Sequence, residues 1–437
     1  MPNSLFQRIL SALWEIKIVD THEHLPDENE RIKGKPDLLY EFFCHYASSD
    51  LISSGMSDDD MEKIRKKDIP IEKRWKILEP YWLKIQNTGY ARSINISAKG
   101  LFGEDGLTRK TYKSLAEKFV SANKHGWYSK VLKEKCVIDI SVLDANAYDR
   151  DKDLFVPVVR PEEYILVRSR EAIQKIEKSR DLSIHTLKDL EKAMLGYLDE
   201  FVANGAVGIK LPLAYLRPIN YDKTAFSDAE RSFNLIAQSE SNPYMYESYI
   251  TFNQAKPMQD YLVHRVLRYA EQKKLPVQIH TGLQEGNGNL IRNSDPTLLT
   301  NLFIEYPNVK FDIFHAGYPF SRLLACLAKN FRNVYIDMCW FHIMTTSGAC
   351  AILNEWLDLV PANKIFGFGG DYAFVEGVYG HAVLAREDVA RVLAERVEKG
   401  IFGEDYALEI GRMILRENAY TFFDLENKRK IKTKKKK

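Results

Sequence analysis

Long apolar runs are absent from this chain. No stretch of its 437 residues approaches the roughly 20 consecutive apolar positions that a membrane-spanning helix needs. The first fifteen residues carry Arg8 and Glu15 in an amphipathic pattern, so a secretory leader is not expected there. Cysteine is scarce: Cys44, Cys136, Cys326, Cys339 and Cys350 are odd in number and form no CxxC pair. That excludes a disulfide framework, suits a reducing, cytoplasmic setting, and makes each cysteine read as a small buried hydrophobe. A surplus of charge is missing as well. The net charge is +2, yet eight basic residues fall in the last ten positions, which leaves the remainder about six charges negative. A basic nucleic-acid-binding globule is thereby excluded, no nucleic-acid or membrane partner is expected, and residues 426–437 read as a disordered basic tail. Histidine occurs only ten times, so the places where it does occur carry information.

Four of those histidines and one aspartate end strand-like apolar runs. Ile16-Lys17-Ile18-Val19 leads into Asp20-Thr21-His22-Glu23-His24. Val277-Gln278-Ile279 leads into His280, Phe311-Asp312-Ile313-Phe314 into His315, and Ile365-Phe366-Gly367-Phe368-Gly369-Gly370 into Asp371. Residues i and i+2 of a strand face the same way, so His22 and His24 can chelate one cation from a single strand end. In a parallel barrel the carboxyl ends of all strands meet at one face, where groups far apart in sequence converge. Neutral imidazole suits zinc, and Asp371 can add an anionic ligand or accept a proton. Lys210, in Val207-Gly208-Ile209-Lys210-Leu211, has three readings: a carbamylated bridge between two metals, a substrate-binding ammonium, or a buried lysine paired with a carboxylate. Tyr215 and Arg217 follow it closely. Arginine is the natural bidentate partner of a carboxylate, so both are expected to contact substrate, as is Arg292 beyond the Gln284–Asn289 loop. Trp340 and Phe341 are expected to line the pocket, and His342 to be structural.

Strand-length apolar runs recur at residues 16–22, 136–143, 153–159, 206–213, 275–281, 310–316, 333–339 and 364–368. Eight such runs, several separated by helical patterns, are what a (β/α)8 barrel needs. One helix is spelled out by Leu187, Leu190, Met194, Leu198, Phe201 and Val202, with Asn204-Gly205 as its stop. Two places depart from an ideal barrel. The link 143–152 is too short for a crossover helix, so an irregular connection is expected. Residues 26–135 form a long insertion after the first strand, with Trp75, Leu78, Trp82 and Ile85 at helical spacing. The expected architecture is therefore one distorted TIM barrel over residues 1–425, its helical insertion lying over the active face.

The HxH pair, His280, His315 and Asp371, in that order, resemble the pattern of the amidohydrolase superfamily. Lys210 falls at that family's fourth-strand position. The turns after His280 and His315 and the Gly-Gly-Asp ending are similar to the amidohydrolase-related branch, with its decarboxylases and nodulin/FluG-type barrels. The long insertion and Lys133-Glu134-Lys135-Cys136 are similar to uronate isomerases. The resemblance implies a mononuclear site in which His22, His24, His280 and Asp371 bind one divalent ion, with zinc expected. His315 would polarise the substrate, and Asp371 would also move a proton. The expected activity is metal-dependent hydrolysis of a small polar, carboxylate-bearing molecule by activated water. A decarboxylase or uronate-type isomerase on the same barrel is the alternative, and a non-enzymatic metal-binding module a third. The expected partner is a small-molecule substrate, with room left for a homo-oligomer.

Overall fold

The computed structural model describes residues 4–239 and 250–427. All eight expected strands occur, each overlapping its apolar run: β1 Ile18–Glu23, β2 Ile138–Leu143, β3 Phe155–Pro157, β4 Ile209–Leu211, β5 Val277–Ile279, β6 Phe311–Ile313, β7 Val334–Asp337 and β8 Ile365–Phe366. Most are shorter than the runs. Beyond β6, β7 and β8, His315 (φ 62°), Ala316 (φ 52°), Trp340 (φ 65°) and Asp371 (φ 59°) adopt left-handed backbone. Such conformations are costly for residues with a Cβ and gather where a fold holds side chains for a purpose.

The chain groups into two compact units. The first comprises Met1–Val156, Leu283–Asn289 and Ile336–Thr421. There β1 and β2 pair in parallel, Ile18 opposite Ile138 and Asp20 opposite Ser141, and β7 and β8 pair likewise, Asp337 opposite Phe366. Every residue of β1 is buried, so its polar members Asp20, Thr21, His22 and Glu23 must all find partners inside. The link after β2 is irregular, as expected, and carries no helix before β3.

The insertion is helical throughout, from Glu28–Lys33 to the π-helical turn Lys130–Lys135. Asp58-Asp59-Asp60 is a solvated helix start, capped by Ser57. Helix Gly89–Phe102 of the insertion packs against helix Val375–Glu398 with very little room. A Cβ on Gly380 would come 2.2 Å from the Ser93 carbonyl, and Ser97 Oγ donates to the Glu376 carbonyl at 2.7 Å.

The second unit comprises Pro157–Gly282, Leu290–Tyr335 and Phe422–Lys437. Its β4, β5 and β6 run parallel in register, Ile209 opposite Val277 and Val277 opposite Phe311. Helix Leu187–Ala203 has the boundaries its periodicity predicts, with a Thr186/Asp189 capping box at one end and Asn204 at the other. All five cysteines are free thiols. Cys136 and Cys339 are buried as expected, whereas Cys326 is exposed, because it lies on the outer face of helix Ser321–Asn330. Among the described residues no helix is long and apolar enough to cross a membrane. Of the tail expected at residues 426–437, Glu426 and Asn427 are helical and residues 428–437 lie outside the described residues.

Candidate metal centre

Strand β1 places His22 and His24 on the same face. Their Nε2 atoms stand 3.3 Å apart, and the Oδ1 of Asp371 lies 3.7 Å from the first and 3.1 Å from the second. One ligand atom from each of the three thus falls within 4.8 Å of the others. Two imidazole nitrogens facing each other beside a carboxylate oxygen form a donor set that fits a divalent cation. The orientation of His24 is set from behind, since its Nδ1 is 2.9 Å from the Asp144 carbonyl, leaving Nε2 for the centre. Burial opposes a charge on His24, but its hydrogen bond to Asp371 and the nearby Asp144 and Asp371 carboxylates prevail and raise its pKa.

The Asp371 loop is tied down at every backbone group. Gly370 N–H donates to Asp20 Oδ1 (3.0 Å) and Tyr372 N–H to Glu23 Oε2 (2.9 Å). The Asp371 N–H donates to the His22 carbonyl (2.8 Å), and the His24 N–H to the Tyr372 carbonyl (3.1 Å). Tyr46 O–H donates to the Asp371 carbonyl (2.5 Å), and His381 Nδ1 meets the Gly370 carbonyl at 3.1 Å. Glycine is required at 370 because a Cβ there would sit 1.7 Å from Glu23 Oε1. Asp20 and Glu23 are both fully buried. Burial raises the two carboxyls, and the charge of Asp20 raises Glu23 further.

Three residues at this centre carry no signal in the sequence pattern. Asp144, just past β2 and buried, has Oδ2 3.6 Å from His22 Nε2. His45 and Tyr46 come from the insertion, which therefore reaches the centre. The Tyr46 ring stacks against Trp340 (4.4 Å) and Tyr90 (5.4 Å), each 16° from parallel. His45 lies on Tyr46, ring centroids 3.9 Å apart. Burial pushes the His45 pKa down to about 4, which keeps the imidazole neutral at neutral pH. Glu285, in the polar loop expected near the metal, is raised by burial and by the charge of Asp371. His342 is structural, held between Asp388 (3.0 Å) and the Gly367 carbonyl (3.1 Å).

The second unit brings His280 and His315 together, Nδ1 of the first 2.9 Å from Nε2 of the second, with Tyr215 packed on His280 at 4.7 Å. Lys210 is buried, its ammonium 3.4 Å from the centre of the Phe314 ring. Arg292 is exposed. Arg217 does not offer the expected fork. It is 1% exposed, and its guanidinium is engaged by Asp260 (2.6 Å), Gln259 (3.1 Å) and the carbonyls of Pro218 and Asn220 (3.0 Å each). A chain turn directs it inward onto helix Phe252–Lys273, so it works in the scaffold. Arg217→Lys is therefore expected to cost about 1–3 kcal/mol of stability, since one ammonium cannot replace those planar bonds, with metal content unchanged. Thermal unfolding alongside substrate kinetics checks this; a higher KM at unchanged stability would restore the ligand role.

Residues 238–425 match the amidohydrolase family, a segment that holds His280, His315 and Asp371. The resemblance read from the sequence is borne out. Protein fluG of Emericella nidulans is 27% identical over 233 residues, which is 52% of this chain and 26% of that protein. The chain thus spans about a quarter of the length of this curated relative. Uronate isomerase from Thermotoga maritima has a similar structure, with a TM-score of 0.80 at 15% identity over 96% of this chain and 97% of the other. Glucuronate isomerase from Caulobacter crescentus gives 0.72 at 17% over 96% and 94%. At such identities the likeness is one of fold, and it supports the barrel-type α/β architecture.

Proposed function

We propose that this protein is a metal-dependent enzyme of amidohydrolase type that hydrolyses a small polar substrate in the cytoplasm. The observation that carries the reading is the convergence of His22, His24 and Asp371 on one point, with Asp144 and the Asp371 loop holding them there. A bound divalent ion, which we assign as zinc, would supply Lewis acidity and a water nucleophile available at neutral pH. His22, His24 and Asp371 would hold it, and the family pattern adds His280. Asp371 carries the only carboxylate of the donor triad, so it accepts a proton during attack and returns it to the leaving group. His45, neutral and beside Asp371, offers a hydrogen bond to substrate. Tyr46, Tyr90 and Trp340 present an aromatic wall. From the family pattern His315 stabilises charge on the substrate oxygen. Lys210 and Tyr215 stand as its substrate contacts, while a carboxylate on the substrate no longer has Arg217 to support it.

A second reading, isomerisation of a uronic acid, is favoured by the fold likeness to two sugar-acid isomerases over almost the whole of each chain. Assaying the metal-loaded protein against uronates for ketose formation, and against amide and ester panels for hydrolysis, separates the two. Ketose formation without any hydrolysis would overturn the first reading.

Elemental analysis of protein purified without chelators is expected to find about one tightly held divalent ion per chain. Two ions would overturn the mononuclear assignment. The raised His24 pKa gives that binding a sign. A proton on His24 blocks a ligand nitrogen, so apparent metal affinity should rise with pH and fall steadily as His24 protonates in acid. Competition titrations with a chromophoric chelator at several pH values measure it; affinity independent of pH would remove His24 from the ligands.

A further inference from the structure

We propose that Glu23, together with Asp20, is a positioning residue for Asp371, acting through the peptide groups on either side of it. The inference rests on the metal reading above and deepens it. Glu23 lies between the two ligand histidines in sequence, where the pairing of β1 with β2 is irregular. Its Oε2 accepts the Tyr372 N–H, and Asp20 Oδ1 accepts the Gly370 N–H. These two amides flank Asp371, whose own φ is +59°, in the left-handed region that non-glycine residues seldom occupy. The remaining backbone groups of residues 370–372 are taken by His22, His24, Tyr46 and His381.

The same strand that supplies two ligands thus also clamps the third ligand's loop. Clamp and ligands move as a unit, which fixes the distance between Asp371 and the His22–His24 pair before any ion arrives. The fit is close enough to be visible in the neighbour. Residue 370 has no room for even one methyl group, because Glu23 Oε1 occupies that place. Carboxylates that hold a ligand in place from behind act as outer partners, whose loss elsewhere weakens metal binding by about ten- to a hundredfold.

The test uses full-length protein, cobalt(II) as the probe, and the visible spectrum of the bound ion beside its dissociation constant. Glu23→Ala is expected to weaken cobalt binding by about ten- to a hundredfold and to alter the spectrum, because Asp371 loses its fixed approach. Glu23→Gln should restore near-parental binding. Its carbonyl can accept from Tyr372 N–H, and its amide can face Asp20. Gly370→Ala should weaken binding as Glu23→Ala does, by displacing the carboxylate, and should add little in the Glu23→Ala background, where the space has been emptied.

Thermal unfolding of the metal-free variants separates positioning from general stability. Lower melting with unchanged cobalt affinity and spectrum overturns the proposal, as does equal loss in Glu23→Ala and Glu23→Gln. An undiminished effect of Gly370→Ala in the Glu23→Ala background overturns it too. Should Glu23→Ala fail to fold, Glu23→Gln and Gly370→Ala decide by themselves: retained affinity in the first and lost affinity in the second support the clamp, and any other combination overturns it. A parent protein that binds no cobalt overturns the metal reading and the clamp together, whereas a binding parent matched by Glu23→Ala overturns the clamp alone.

Discussion

Alanine at position 22 or 24 is expected to leave a folded protein that no longer retains its metal. Each substitution removes one of the three atoms gathered around the ion position. The loss should exceed the about tenfold to hundredfold cost of removing an outer partner, because a direct donor is gone from the proposed set of three imidazoles and one carboxylate. His315→Ala should behave differently. If it acts on a substrate oxygen, the variant keeps most of its metal and loses about a hundred- to a thousandfold in turnover, the usual cost of one oxyanion donor. Metal analysis and kcat on the three variants, each loaded under identical conditions, make the comparison. Equal metal loss in all three would move His315 among the ligands. Full retention in His22→Ala and His24→Ala would falsify the assignment of the centre itself.

The parts of this molecule that were legible in sequence share a physical property: they are periodic or local. Apolar runs mark strands because a doubly buried strand has no polar face to show. The HxH pair is legible because alternation along a strand is enough to aim both imidazoles. Helix Leu187–Ala203 is readable because its apolar face and its stop are written within twenty residues or so of one another. What escaped was set by distant contacts. Asp144 belongs to an irregular link with no pattern, and its importance comes from a carbonyl that meets a histidine 120 positions earlier. His45 and Tyr46 lie in an insertion whose helices could be expected, but nothing local says which of its residues will meet the carbonyl of Asp371. Arg217 failed in the opposite direction. Nearness to Lys210 along the chain suggested a shared task, yet Asp260, 43 residues later, claims its guanidinium in the fold.

The largest loss of stability is expected from Glu376→Ala. Glu376 follows Asp371 by five residues, opens the long helix Val375–Glu398, and is completely buried. Both its oxygens accept from Arg31, at 2.8 and 3.0 Å, and one accepts from Trp127 Nε1 at 2.8 Å. Arg31 and Trp127 belong to the two ends of the helical insertion, so one carboxylate gathers the start and the close of that segment onto the helix beyond the Asp371 loop. Arg31 is itself buried, flanked by the Phe119 and Tyr128 rings. Burial alone would lower its pKa, but the charge and hydrogen bond of Glu376, with Tyr128 and Glu41 nearby, together raise it. Nearby Glu41, on which burial lifts the pKa to about 7, is not hydrogen-bonded to Arg31 as Glu376 is. Removing the Glu376 carboxylate therefore strands a guanidinium without its ion pair, a change worth about 3–5 kcal/mol and a fall in melting temperature of about 3–5 °C in a chain of this length. Trp127→Phe, which deletes one neutral donor and keeps the ion pair, should cost about 1 kcal/mol. Calorimetry on both variants distinguishes a buried charge pair from simple packing: comparable losses in the two would mean that the pair contributes no more than a single hydrogen bond. Arg31→Met in the Glu376→Ala background should recover part of the stability, because it removes the unpaired charge and keeps the volume.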